Sequence, residues 1–360
     1  MIRFLYFVVL IASLILTGCV KQDVIDKITI SFTGAFDEAP DDQIEFTVAA
    51  TKFQADKSRS VSNVLYSKVG HTSKNIVELM DMQLNRPIKP GKISVLLIGK
   101  ELAERGLADK LDVILRDAIA SRRMYVAIAE GKGKEILQAN FSSNEEKGMY
   151  LYNLFDSNVR TGLVPRQSLH DFEYAFLGKG MDPFLPLLSL QPNGQVQISG
   201  LALFKDDKYV LSLSEKQMRV MKLLLENVRY GTLETKLENG PYMAIKNIGS
   251  KVNYSIGKEP KSPKVTINLS LNTEVIDSKG IALTKQEQQK IKESFEKDIR
   301  TTGVDLLQLF RKEEIDPLGL GDFVRSKTRN WNEEAWKEEY PMMNVRLNVT
   351  VNLTEIGIRK

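Results

Sequence analysis

With 360 residues, 42% of them apolar, the chain is long enough for two or three domains with real cores. Its 50 basic and 46 acidic side chains are interleaved, so the formal charge of +4 is spread over the surface and gives no footprint for a nucleic acid. One cysteine excludes an internal disulfide, and two histidines leave little for a nitrogen-liganded metal site.

The first element is a secretion signal. Met1, Ile2 and the cationic Arg3 precede an uncharged run from Phe4 to Leu16, and Leu16-Thr17-Gly18-Cys19 closes it with small residues before the cysteine. Thirteen residues are too few to cross a bilayer, which takes roughly 20. The pattern is that of a bacterial lipoprotein signal: residues 1–18 are removed, and Cys19 becomes the acylated N-terminus. Two acyl chains, at about 0.8 kcal/mol per buried methylene, hold a protein lastingly where one does not. Loss of Arg3 lowers the formal charge to +3. The polar lead-in of roughly eight residues reaches at most about 28 Å, so the body stays close to the membrane.

Ile28–Phe36 and Gln43–Phe53 alternate as half-buried strands. Thr72 or Ser73 caps a helix carrying Ile76, Leu79, Met80 and Leu84, which Pro87 and Pro90-Gly91 end. Ile93–Ile98 reads as a buried strand. A helical region broken near Gly106 follows, through Leu102, Leu107, Leu111, Ile114, Leu115 and Ile119, and Met124–Ala129 is a further strand. Lys134 to Gly180 is mostly helical. Asp182-Pro183 and Pro186 precede a strand-like run, and Pro192-Asn193-Gly194 is the strongest turn signal, where the main domain boundary is expected.

Val196–Phe204 and Tyr209–Leu213 flank a hairpin turn at Lys205-Asp206-Asp207-Lys208, and Ser214 caps a helix with Met218, Met221, Leu224 and Leu225. Strands follow around Tyr230–Thr235, Tyr242–Ile256 and Lys264–Val275. Thr284 caps a long amphipathic helix with Ile291, Phe295, Ile299, Leu306, Leu307 and Phe310 on its apolar stripe. A short element at Pro317–Lys327 and an alternating strand at Met343–Ile356 complete the chain. The expected fold class is α+β, two to three domains, each a mixed or antiparallel sheet packed with helices. The expected domains are 19–193, with a further split near 140–150, and 194–360.

Catalytic chemistry finds little footing. His71 and His170 lack companions at metal-ligand spacing, and they read as turn and helix-surface residues. Gly131-Lys132-Gly133-Lys134 lacks the Walker A spacing and has Glu135 where Ser or Thr belongs, so it reads as a tight turn. The acid pairs Asp206-Asp207, Glu333-Glu334 and Glu338-Glu339 sit in polar contexts, against a hydrolase that needs one carboxyl buried. Trp331 and Trp336 read as core-sealing residues, and Gly200, Gly319 and Gly321 as turn or close-approach positions. No catalytic residue, metal ligand or cofactor is expected.

The order of motifs resembles the Ger(x)C family, the C subunits of bacterial spore germinant receptors. It runs from Gly34 with Asp37, through Val69-Gly70-His71-Thr72, Val95-Leu96-Leu97-Ile98-Gly99 with Glu101, Ala103 and Gly106, and Leu115-Arg116-Asp117, to the Val126–Leu137 segment. It continues with Asp182-Pro183, Pro186, Ser199-Gly200-Leu201-Ala202-Leu203-Phe204-Lys205 and Asp316-Pro317-Leu318-Gly319-Leu320-Gly321, then Trp331 and Trp336. Val20 and Lys92 depart from the family's usual Trp and His. The resemblance implies a non-enzymatic subunit, lipid-anchored through Cys19 on the outer face of the spore inner membrane. Its partners would be the two membrane-embedded A and B subunits. The rival reading, a lipid-anchored solute-binding protein hinged near Pro192–Gly194, fits the strand-rich Val196–Val275 stretch poorly.

Overall fold

The computed structural model describes residues 29–53, 61–84, 87–89, 93–111, 121–141, 145–238, 240–257, 265–281 and 283–354. The signal with Cys19, the Pro90-Gly91 break, and Ile114, Leu115, Ile119 and the Leu115-Arg116-Asp117 motif lie outside them. The fold is α+β, with two sheets packed by helices.

The larger sheet contains β1 (Thr29–Ala39), β2 (Gln43–Phe53), β3 (Val61–Gly70), β4 (Ile88–Lys89), β5 (Val95–Gly99), β6 (Tyr125–Ala129), β7 (Phe184–Leu190), β8 (Val196–Lys205) and β9 (Lys208–Ser214). Its order is β3-β2-β1-β5-β6-β7-β8-β9, with β4 pairing the start of β1. The central strands β1, β5, β6 and β7 run parallel, and antiparallel hairpins flank them on both sides.

The helices in this half are α1 (Ser73–Asp81), α2 (Lys100–Arg105), α3 (Gly133–Gln138), α4 (Lys147–Arg160), α5 (Leu169–Leu177) and α6 (Glu215–Leu225). Ile76 and Met80 of α1, Leu102 of α2 and Phe172 of α5 pack with Leu96, Ile98, Val126 and Ile128. Ile136 of α3, Phe155 of α4 and Met221 of α6 share the other core with Val95, Leu97, Ala127 and Ala129. Covered on both faces, β5 and β6 are buried at every residue, which is why they read as unbroken apolar runs.

The smaller sheet has the order β10 (Thr232–Lys236), β11 (Tyr242–Ile256), β12 (Val265–Asp277) and β13 (Val345–Leu353), with β12 and β13 parallel. Between the last two strands lie α7 (Lys285–Lys312), α8 (Leu320–Lys327), α9 (Glu333–Glu339) and a 3-10 turn, Tyr340–Met342. The expected stripe of α7 is buried in full, joined by Gly303, whose bare Cα lets Leu347 of β13 approach. At 1.5 Å per residue, the 28 residues of α7 span about 42 Å. Glu296 and Arg300 of this helix also bond to the open edge of β13, Val351 N donating to Glu296 Oε1 at 2.9 Å and Arg300 Nη2 donating to Val349 O at 3.4 Å, and Arg311 Nη1 donates to Met343 O at 2.7 Å just before the strand. Side chains laid along an edge in this way hinder its pairing with a foreign strand.

The expected caps form. Thr72, not Ser73, accepts from Asn75 N, Ser214 makes a capping box with Gln217, and Thr284 accepts from Glu287 N. Two features differ from the sequence reading, and a third concerns the turn at the expected domain boundary. Val61–Gly70, unassigned above, is the edge strand β3, paired with β2 along its whole length. Pro186 lies within β7, and β6 joins that strand only from Leu187 onward, so the missing N–H interrupts no ladder there. The Pro192-Asn193-Gly194 turn links two antiparallel neighbours, and β7 pairs with β8 from Phe184–Leu203 to Leu190–Val196. The large sheet therefore takes strands from both sides of that turn.

Candidate functional site at the junction of the two sheets

The two Asp-Pro dipeptides of the chain meet in space. A residue before proline is held extended, so each aspartate presents its backbone and carboxylate at a fixed angle. Asp182 N donates to Asp316 O at 3.0 Å, and Asp316 N donates to Asp182 Oδ2 at 2.7 Å. The other oxygen of Asp182 accepts from Asp206 N at 3.1 Å, in the β8–β9 turn. Asp316, 3% exposed, accepts from Leu320 N at 2.9 Å on Oδ1 and from Gly321 N at 2.7 Å on Oδ2, at the start of α8. A carboxylate there is favoured by the helix dipole and by two charge-assisted hydrogen bonds.

Burial works against these bonds. It pushes the Asp316 carboxyl up to about 7, opposed by the N–H groups of Gly321 and Leu320, and it also raises Asp182, against the N–H groups of Asp316 and Asp206. Tyr340 donates from its hydroxyl to Ile315 O at 2.7 Å, and burial raises its phenol. Tyr254 of β11 is half-buried, its phenol is likewise raised by desolvation, and its hydroxyl donates to Leu224 O at 2.7 Å, tying α6 to the smaller sheet.

Two glycines let the halves touch. Gly180, with φ +72°, faces Gly321, and a Cβ on Gly180 would lie 2.6 Å from Gly321 C. A Cβ on Gly321 would lie 2.5 Å from Trp336 Nε1 and 2.6 Å from Gly180 Cα. Asp322 N donates to Gly180 O at 2.8 Å across this contact. Beside it is a cavity of about 180 Å³, with Phe176, Met181, Trp336 and Tyr340 among its apolar lining and Lys205, Glu314, Glu333 and Lys337 among its charged residues. Lys205 Nζ pairs with Glu314 at 2.8 Å, another bond between the halves.

This arrangement joins rather than reacts. Each oxygen of Asp182 and of Asp316 accepts a backbone N–H, so both carboxyls hold the two halves of the chain together beside the cavity they line. Asp207 Oδ2 accepts from Ala108 N at 2.9 Å, and Glu333 pairs with Lys179 at 3.2 Å and Lys337 at 3.4 Å. Trp336 is buried with its ring 5.5 Å from that of Tyr340, whereas Trp331 is half-buried and lines a separate open depression with Asn330 and Lys337.

The remaining sequence candidates lie elsewhere. His71 is exposed, 3.3 Å from Gln43 Nε2, and His170 is exposed on α5. The Gly131–Lys134 turn does bind an anion, the protein's own Asp37. Gly133 N donates to Asp37 Oδ1 at 2.6 Å and Lys134 N donates to Oδ2 at 2.8 Å, while Lys134 Nζ pairs with Glu45. A Cβ on Gly133 would meet Ala35 Cβ at 2.8 Å, which explains the second glycine. Gly200 sits against Leu213 across the β8–β9 hairpin, and Gly319 adopts φ +65° before α8. Sequence reasoning noticed the motifs around Asp37, Asp182 and Asp316 but not that the first and last are buried and the second half-buried; the Asp-Pro repetition was the available signal.

Residues 21–190 match the spore germination protein N-terminal domain, and residues 199–357 match the spore germination B3/GerAC-like C-terminal domain. The chain belongs to the Ger(x)C family of spore germination proteins. Among Ger(x)C relatives, the spore germination protein GerQC of Bacillus cereus is 27% identical over 354 residues, covering 97% of this chain and 98% of that protein. YfkR of Bacillus subtilis (strain 168) is 21% identical over 374 residues, covering 97% of this chain and 95% of that protein. The crystal structure of the GerBC protein shares the fold at a TM-score of 0.62 and 16% identity, over 92% of this chain and 100% of that one. The interval between the two matched domains falls on the β7–β8 turn, inside the large sheet.

Proposed function

We propose that this Ger(x)C protein is the lipid-anchored C subunit of a nutrient germinant receptor. In this reading residues 1–18 are removed and Cys19 carries the acyl chains. The body stands on the outer face of the spore inner membrane and acts by contact with the membrane-embedded A and B subunits. The observation that carries the reading is the end-to-end match to the family in both halves, GerQC being similar over 98% of its length. The junction supports contact rather than turnover, because its buried carboxylates are spent on backbone amides that bind the halves together. No helix among the described residues is long and apolar enough to cross a membrane, so attachment in this reading falls to the lipid.

Co-isolation from detergent-solubilised spore membranes tests the assignment. The protein is expected to travel with both membrane subunits, and its deletion is expected to abolish germination to one class of nutrient. Separation under mild conditions, together with unchanged germination of the deletion strain, would overturn it. Mass spectrometry of the mature N-terminus tests the anchor, with diacylated or triacylated Cys19 as the expected species.

A further inference from the structure

The larger sheet has two unlike ends. At one, β1 begins, where Thr29 and Ile30 pair with β4. Because β1, β5, β6 and β7 are parallel, this is also the end where β5, β6 and β7 begin. Both ends of α5 are tied to it: Leu169 N donates to Met124 O just before β6, and five residues past Leu177 the chain reaches Asp182, just before β7. The first turns of α4 lie there too. Lys147 N donates to Asn63 Oδ1 near the start of β3, and the Tyr152 ring lies 5.6 Å from that of Tyr125, the first residue of β6. The C-terminus of α1 completes the ring, since Asp81 Oδ1 accepts from Ile88 N of β4 at 2.7 Å.

These three helices expose apolar side chains at this end. Leu169 and Phe172 face the core, and the opposite face of α5 presents His170, Tyr174 and Leu177 at helical spacing, with Tyr174 56% and Leu177 68% exposed. Met149 and Tyr152 are exposed on the first turns of α4, and Met82, at 76%, caps α1. Among the described residues of β1 to β9 and their helices, the other large exposed apolar side chains are Val69 and Leu190 at the far end and Val210 on the edge strand. The Ser121-Arg122-Arg123 turn before β6 adds the exposed Arg123 and Arg122, which pairs with Glu173 of α5, while at the far end Asp42 of the β1–β2 turn pairs with Arg105 and Glu130 lies near Lys132 after β6.

Such a ring of tyrosine, leucine and methionine has the composition of a membrane interface, where amphipathic rings sit at headgroup depth, and the exposed Arg123 beside it suits an anionic surface. The covalent path points to the same occupant. From Cys19 to Thr29 the chain reaches at most about 36 Å, and it arrives at this end of the sheet. We propose that the strand-start end, through Met82, Met149, Tyr152, Tyr174 and Leu177, rests on an anionic bilayer surface. This orients the far end of the larger sheet away from the lipid. The inference rests on the lipid anchor proposed above.

Because Cys19 is the single cysteine and acylation would consume it, single engineered cysteines give unique labels. Full-length acylated protein is reconstituted in vesicles of phosphatidylglycerol and phosphatidylethanolamine, carrying an environment-sensitive fluorophore at Met82→Cys, Tyr152→Cys, Leu177→Cys, Val69→Cys or Leu190→Cys. The expected result is blue-shifted emission at the first three sites, quenched at least threefold more by headgroup spin-labelled lipid than at Val69 and Leu190. Equal quenching at all five sites, or the reverse order, overturns the proposal. So does protection of Leu177 that appears only when the A and B subunits are co-reconstituted, which would make this end a protein-docking surface. Acylation of the same samples is read by mass spectrometry: intact acyl chains with no contrast between the ends sink this orientation and leave the anchor standing, whereas absent acyl chains sink the anchor itself.

Discussion

The two sheets of this protein meet solvent in opposite ways. The larger is sandwiched between helices, and Val95–Gly99 and Tyr125–Ala129 are buried at every position. The smaller is covered on one face by α7, and β12 and β13 alternate between buried and accessible residues. Its open face is a ladder of small polar groups, where Asn348 Nδ2 donates to Asn268 Oδ1 at 2.8 Å and Asn352 Nδ2 donates to Asn272 Oδ1 at 3.2 Å. The lesson is that tolerance to substitution follows layer count: a strand with helices on both sides has no spare face.

The strongest way to break that contrast is a matched pair of truncations. Leu97→Ala in β5 is expected to cost about 3 kcal/mol, the transfer and cavity cost of a fully buried leucine, whereas Thr350→Ala on the open face of β13 changes stability by less than about 0.5 kcal/mol. Urea unfolding midpoints read both, and equal costs would refute the layer argument. Next in size is the seam between the sheets. Gly321→Ala places a methyl against Trp336 and Gly180, with an expected loss of about 2 kcal/mol. Calorimetry is expected to show the single transition splitting in two as the halves uncouple, while Gly194→Ala, in the open β7–β8 turn at φ +80°, leaves one transition.

The last comparison is one of pH. Asp316 titrates near 7 in the folded chain and near 3.8 when unfolded, so between these values the folded state holds a proton that the unfolded state has released. Stability therefore falls as pH rises from about 4 to about 7, and Asp37, Asp182 and Glu146, all raised by burial, act in the same direction. Asp316→Asn is expected to make that slope shallower: it costs about 1 to 2 kcal/mol near pH 5, because the amide nitrogen cannot accept from a backbone N–H, and less at pH 8, where the wild-type chain must bury a charged carboxylate. Denaturant titrations at pH 5 and pH 8 check both parts.

Much of this was legible along the chain. The α7 stripe, the caps at Thr72, Ser214 and Thr284, and the Lys205–Lys208 hairpin each depend on residues a few positions apart, so local chemistry was enough to place them. The strand β3 was not, because Val61–Gly70 alternates weakly and owes its conformation to pairing with β2. Pro192-Asn193-Gly194 was legible as a turn, but that it joins two paired strands of one sheet shows only in the β7–β8 pairing. The Gly131–Lys134 turn looked like half a phosphate loop because its amides do hold an anion, but the anion comes from Asp37, nearly a hundred residues earlier.

By itself the sequence determined most of the elements and the order of motifs that marks the family, since both are written in neighbouring side chains. The tertiary structure alone decided that two Asp-Pro pairs 134 residues apart clasp each other, and that Met82, Tyr152 and Leu177 surround one end of a sheet. The physical reason is that burial of a carboxylate and exposure of a leucine are properties of what packs around them, and those neighbours come from distant parts of the chain.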